Sequence, residues 1–179
     1  PKEVHPGETR VPLIPEHVAK LVNAGANISV QSGLGHALQV DDSEYKDAGA
    51  TVIHVVSSLR TARKAEAAGV DAVVAEGIES GGKVSREEIP TISLVPQVVD
   101  AVEIPVIASG GFADARGLVA ALALGAEAMN MGTRFVATQE APAHDNVKQW
   151  YVDSKETDTM YVMRSLRNTE RVLRNEVAE

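Results

Sequence analysis

The stretch IPVIASGGFADARGLVAALALGAEAMNMGT, residues 104–133, decides the fold. Ile104 to Ala108 is a short apolar run without polar alternation, the pattern of a strand covered on both faces. It ends in Ser109-Gly110-Gly111. Asp114 is placed to cap a helix, and the apolar spacing after it predicts a helix that stops at Gly125. Ala126 to Met131 reads as the next strand, ending in Gly132-Thr133. The order is strand, glycine turn, capped helix, glycine stop, strand. Such βα units stack into a parallel sheet with right-handed crossovers.

Upstream, the same rhythm continues. Thr51 to Val56 is a β-branched strand. Ser57 or Ser58 caps a helix that runs to Ala68 and stops at Gly69. Asp71 to Ala75 is a strand, and Glu76 to Pro90 a polar loop. The next helix buries Val95, Val98, Val99 and Val102, with Pro96 tolerable only in its first turn. Before Thr51, the spacing predicts a helix over Pro15–Ala24, a strand over Asn27–Gln31, a glycine turn and a short helix over Asp41–Ala48. At the other end, Asp158 or Thr157 caps an expected long amphipathic helix. On it, Arg164, Arg167, Arg171 and Arg174 would share one face, either a solvated stripe paired with Glu or, as the lesser alternative, an anion-binding face. From Thr51 onward this makes four βα units of roughly 25–30 residues each.

Composition narrows the function. The chain has 179 residues, short of the roughly 200–250 that a complete (βα)8 barrel needs. It contains no cysteine, which excludes disulfides, a thiolate nucleophile and thiolate metal sites. A net charge of −8 and only 3% aromatic residues argue against nucleic-acid partners and against binding to an anionic membrane. No apolar run reaches the roughly 18 residues of a membrane span. Pro1 opens the sequence, with no basic stretch leading into an apolar one, and a cytoplasmic location is the expectation. His5, His17, His36, His54 and His144 have no metal-triad spacing, and no metal is expected. His17 and His54 read as structural.

The glycine turns carry the site. Ser109-Gly110-Gly111 and Met131-Gly132-Thr133 each follow a predicted strand, where glycine lets backbone N–H groups approach an anion. In (βα)8 barrels a ligand phosphate often sits at the loops after the last two strands. The alternative is a pair of tight βα turns with no ligand. Arg134 is either a phosphate partner or an exposed charge. A second loop, Glu76-Gly77-Ile78-Glu79-Ser80-Gly81-Gly82-Lys83, should open on the same face. Lys83 is its reactive or electrostatic candidate, or else a solvated loop lysine. An unperturbed lysine is a poor base at neutral pH.

From about Ile53 to the C-terminus the chain resembles the second half of the FMN-dependent nitronate monooxygenases and the related enoyl-acyl carrier protein reductase II enzymes. The strings HVVSSLRTARKAEAAGVDAVVAEGIESGG, LVPQVVDAVEIPVIASGGFADARG, ALALGAEAMNMGTRFVAT and RSLRNTERVLRN carry it. The resemblance implies a TIM-barrel-derived half-barrel holding FMN, without metal. It assigns Gly110, Gly111, Gly132 and Thr133, with Ser109 and Met131 beside them, to the flavin phosphate. Glu76, Gly77, Gly81 and Gly82 would lie near the flavin ring and substrate. Lys83 stands where the family typically has its catalytic histidine, and Asn130 where it commonly has glutamine. The implied activity is oxidation of a small nitronate or nitroalkane with O2 as acceptor, with Lys83 stabilising negative charge.

Residues 1–52 resemble a different family. PKEVHPGETRVPLIPEHVAKLVNAGA and QSGLG are similar to the start of the NAD(P) transhydrogenase α subunit and of alanine dehydrogenase. There, Arg10 matches an arginine that contacts substrate carboxylate. The expected division is therefore 1–52 as a βα extension and 53–179 as half-barrel with C-terminal helix. The change falls inside one predicted strand with no linker, which marks a recombined or chimeric chain. Two other functions stay open: a non-catalytic scaffold that self-associates through open sheet edges, and a fragment of a transhydrogenase-like subunit. Expected partners are a small-molecule substrate and further copies of the chain.

Overall fold

The structure is a computed structural model that describes residues 11–178. His5 and Arg10 lie outside those residues. The chain runs α1 (Pro15–Asn23), β1 (Ser29–Gln31), α2 (Asp42–Asp47), β2 (Thr51–Val56), α3 (Leu59–Ala67), β3 (Ala72–Glu76), β4 (Gly82–Lys83) and α4 (Thr91–Val99). It continues through β5 (Val106–Ser109), α5 (Ala115–Ala123), β6 (Ala128–Asn130), α6 (Thr133–Val136), α7 (Asp145–Asp153), β7 (Thr159–Val162) and β8 (Glu170–Leu173). Strands β1-β2-β3-β5-β6 form one parallel five-stranded sheet in that order. From β2 onward this is the expected series of four βα units, preceded by a βα extension. Among the described residues the sheet does not close on itself, and its strand order runs from β1 to β6. The 52/53 boundary falls inside β2, which pairs with β1 on one side and β3 on the other.

The core lies between one face of this sheet and the helices. Val52, Val73, Ala75 and Ala108 on the strands and Val18, Leu94, Val95 and Val98 on the helices are fully buried. Each large side chain among them contributes about 1.5–3 kcal/mol by leaving water. Local chemistry sets the helix ends. Ser58 Oγ accepts from Thr61 N at 3.4 Å, while Thr61 Oγ1 accepts from Ser58 N at 3.1 Å, a reciprocal cap on α3. Asp114 caps α5 by accepting from Arg116 N at 2.9 Å.

Two expectations fail. Pro96 sits in the sixth position of α4, not in its first turn. The helix starts early because the Glu79 carboxylate reaches across from a loop and accepts from Thr91 N at 2.9 Å, supplying the cap that Pro90 cannot. The C-terminal helix is absent. Its residues form a hairpin, β7 against β8, and β4 adds to β8 to make a three-stranded antiparallel sheet. Hence Arg164, Arg167, Arg171 and Arg174 do not share a helix face. The 3-4-3 spacing of the arginines is compatible with a helix. Thr159-Met160-Tyr161-Val162 and Glu170-Arg171-Val172-Leu173, however, pair with each other as antiparallel strands, and Gly82-Lys83 extends that pair from far away in the chain.

Candidate functional site

Register places three site residues on one line. Across the parallel sheet, Glu76 is paired with Ser109 and Ser109 with Asn130. These are the last residues of β3, β5 and β6, and they face away from the helix-covered core. Because β5 and β6 are neighbours, the turns Gly110-Gly111 and Met131-Gly132-Thr133 leave the sheet side by side. They open on one cleft of about 860 Å³ at the carboxyl ends of the strands. Its walls include Glu76, Gly81, Gly82, Ser109, Gly110, Gly111, Asn130, Met131, Gly132 and Thr133. That volume lies within the roughly 300–1,000 Å³ of small-molecule sites. A smaller cavity of about 610 Å³ lies between α2 and α3 over His54, on the helix side of β2 and away from these turns.

Thr91 holds the loops together, and the sequence reading missed it. It is buried at the start of α4. Its Oγ1 donates to Glu79 Oε2 at 2.6 Å and reaches the Ser109 carbonyl at 3.4 Å. A Cβ on Gly77 would lie 2.1 Å from Thr91 Oγ1, and one on Gly110, where φ is +108°, 2.6 Å from the same atom. Both positions admit glycine only. Gly77 therefore works beneath the cleft, against Thr91, and is not part of its wall. A hydroxyl following Pro90 and preceding an apolar helix is the one signal the sequence offered.

The electrostatics are uneven. Burial pushes the Glu76 carboxyl above its ordinary value, and a hydrogen bond from Ser80 partly offsets this. The Glu79 carboxylate is occupied by Thr91. Arg134, Lys155 and Arg171 bring positive charge to the wall. Lys83 is not on that wall: it is exposed on β4, in register with Glu170. The β7–β8 hairpin roofs the loop. Tyr161 Oη donates to the Ile78 carbonyl at 3.2 Å, and Val84 N to the Thr169 carbonyl at 3.0 Å.

A parallel βα sheet with its cleft beyond the carboxyl ends of the strands defines a TIM-barrel-derived α/β protein. The profile of the nitronate monooxygenase family matches residues 10–179, and the chain belongs to that family. It is 44% identical over 123 residues to a probable nitronate monooxygenase of Staphylococcus aureus strain JH9, covering 64% of this chain and 35% of that protein. Among solved structures, FabK from Thermotoga maritima superposes with a TM-score of 0.76 at 41% identity, over 93% of this chain and 52% of that one. A nitroalkane oxidase from Streptomyces ansochromogenes superposes with a TM-score of 0.71 at 30% identity, over 89% and 48%. The chain thus matches about a third of the curated relative (35%) and about half of the solved structures (52% and 48%). The family match runs across residues 52 and 53. Among the described residues no helix is long and apolar enough to cross a membrane.

Proposed function

We propose that this chain carries the flavin and substrate site of an FMN-dependent oxidoreductase of nitronate monooxygenase type. The substrate would be a small nitronate or nitroalkane, with O2 as electron acceptor. The observation that supports it most is the adjacency of the Gly110-Gly111 and Gly132-Thr133 turns over the Glu76–Ser109–Asn130 row. The residues present fit FMN. Backbone amides of the two turns suit a phosphate, with Arg134 near them. Gly81 and Gly82 leave a flat wall for a planar ring, and Asn130 offers an amide to ring polar atoms. When bound, FMN supplies the redox chemistry. The chain binds and orients. Glu76 stands at the floor of the cleft, its carboxyl raised above the ordinary value by burial. Lys83, exposed outside the cleft wall and in register with Glu170, is not the base.

The test is flavin binding by the purified chain. The expected result is a yellow protein, or one that takes up added FMN and is stabilised by about 2.7 kcal/mol at one hundred times Kd. A colourless protein indifferent to FMN overturns the reading. Stabilisation by NADH in its place would favour the transhydrogenase-like alternative.

Self-association is a second element of the proposal, favoured by β6, which ends the strand order among the described residues, and by Val55, 42% exposed on β2. Light scattering should then report a dimer or larger species. A monomer at all concentrations would remove it.

A further inference from the structure

The hairpin that replaced the expected C-terminal helix gives each of its arginines a separate environment. Arg164 is drawn outward: it pairs with Glu88 at 3.0 Å and lies 4.8 Å over the Tyr161 ring. Arg171 goes the other way. It is half-buried and lines the cleft. Its Nε donates to Thr159 Oγ1 at 3.0 Å, and its Nη1 donates to the Glu79 carbonyl at 2.8 Å. Nη2 has no hydrogen-bond partner among the described residues. The other two cations of the wall, Arg134 and Lys155, are exposed. Arg171 is therefore the cation whose position is fixed. It is fixed to the segment between Glu76 and Gly82, because Glu79 is that segment's midpoint and Gly82 faces Arg171 across the strand pair.

We infer that Arg171 is the anion-recognising and positioning residue of the cleft. It holds the glycine loop through the Glu79 carbonyl and presents its remaining guanidinium N–H groups to the anionic group of the substrate. The inference rests on the flavin reading above and adds to it: the charge expected at Lys83 is delivered from β8. A guanidinium suits both tasks, since its rigid fork donates along several directions at once. Of the three acids on the wall, Glu156 is exposed beside Lys155, and the two others are engaged or half-buried. The Glu79 carboxylate is turned to Thr91, and burial favours the neutral form of Glu76.

Nitrate, a planar monoanion, is the probe. Its affinity is read from the perturbation of the flavin spectrum in FMN-loaded protein, and by calorimetry on the flavin-free chain. Three variants separate the two tasks. Arg171→Gln removes the charge and the Nη1 donor and keeps, at the position of Nε, an amide for Thr159 Oγ1. It should fold and bind nitrate about 10- to 100-fold more weakly, the loss of one charged hydrogen bond. Arg171→Lys, with a cation that can still turn to the Glu79 carbonyl, should recover part of that affinity. Arg171→Ala, which also loses the Thr159 anchor, should release the loop further, seen as faster trypsin cleavage after Lys83 and Arg86. With a nitronate as substrate, Arg171→Gln should raise KM more than it lowers kcat. Equal nitrate affinity in wild type and Arg171→Gln overturns the inference, by either readout. Wild-type protein that binds nitrate through Arg171 but takes up no FMN overturns the flavin reading and leaves this one standing.

Discussion

The two faces of the parallel sheet are built to different standards. On the helix side, Val52, Val56, Val73, Ala75, Val106 and Ala108 are almost wholly buried, and the neighbouring helices fill the space above them. On the other side, register lines up Val55, Val74, Ile107 and Ala128, with the Glu76–Ser109–Asn130 row beyond them. There Val55 remains 42% exposed and Asn130 is open. One face is closed over by helices; the other is covered in part, with Val74 and Ser109 buried and Val55 and Asn130 not. The same strands serve both because successive side chains point to opposite faces.

Four substitutions probe this contrast, from the largest expected effect down. Leu94→Ala, at a fully buried site on the closed side, should cost about 2–5 kcal/mol in urea unfolding. Gly77→Ala drives a Cβ to 2.5 Å from Thr91 N as well as onto its hydroxyl. It should cost about 1–3 kcal/mol and misplace the loop, so that FMN binding falls together with stability. A loss of stability with normal FMN binding would separate Thr91 from the site.

Glu76→Gln tests the open side by pH. A raised carboxyl value means that the folded chain holds this proton more tightly than the unfolded one does. The associated stability is present in full below the ordinary value of 4.5 and is lost as pH rises through the raised value. Glutamine cannot ionise. Its Tm should therefore approach that of wild type below the ordinary value and exceed it by a margin that grows as pH rises through the raised value and then levels off. A constant gap would mean that the carboxyl is not sensing burial. Smallest of all, Val55→Ser should change stability by less than about 0.5 kcal/mol in the monomer. A cost comparable to that of Leu94→Ala would show that something covers the open face in solution.

Much of the closed side is legible in the chain. Apolar runs such as Val52–Val56 and Val106–Ala108, separated by capped helices and glycine stops, leave few arrangements other than parallel βα units. The cleft is legible for the same reason, since glycine turns at successive strand ends must emerge together. What escapes reading is what depends on distant pairing. The 159–173 segment folds back on itself as a hairpin that Gly82-Lys83 extends from outside, whereas the arginine spacing spoke for a helix. Thr91 and Arg171 act through Glu79, twelve positions before one and ninety-two before the other. Nothing local announces such contacts. Lys83 shows the converse: a position matched by motif that the antiparallel pairing with Glu170 turns to solvent.

The Glu76–Ser109–Asn130 row has a practical corollary. Neighbouring strands stand about 4.8 Å apart, so the row is a ruler roughly 10 Å long at the floor of the cleft. None of its three side chains belongs to the hydrophobic cluster that holds the domain together. Asn130, exposed at one end of the row, is the part most open to exchange, whereas Ser109 at its centre is buried. An engineer can retune what the floor grips, one strand at a time, while the scaffold beneath is left as evolution set it.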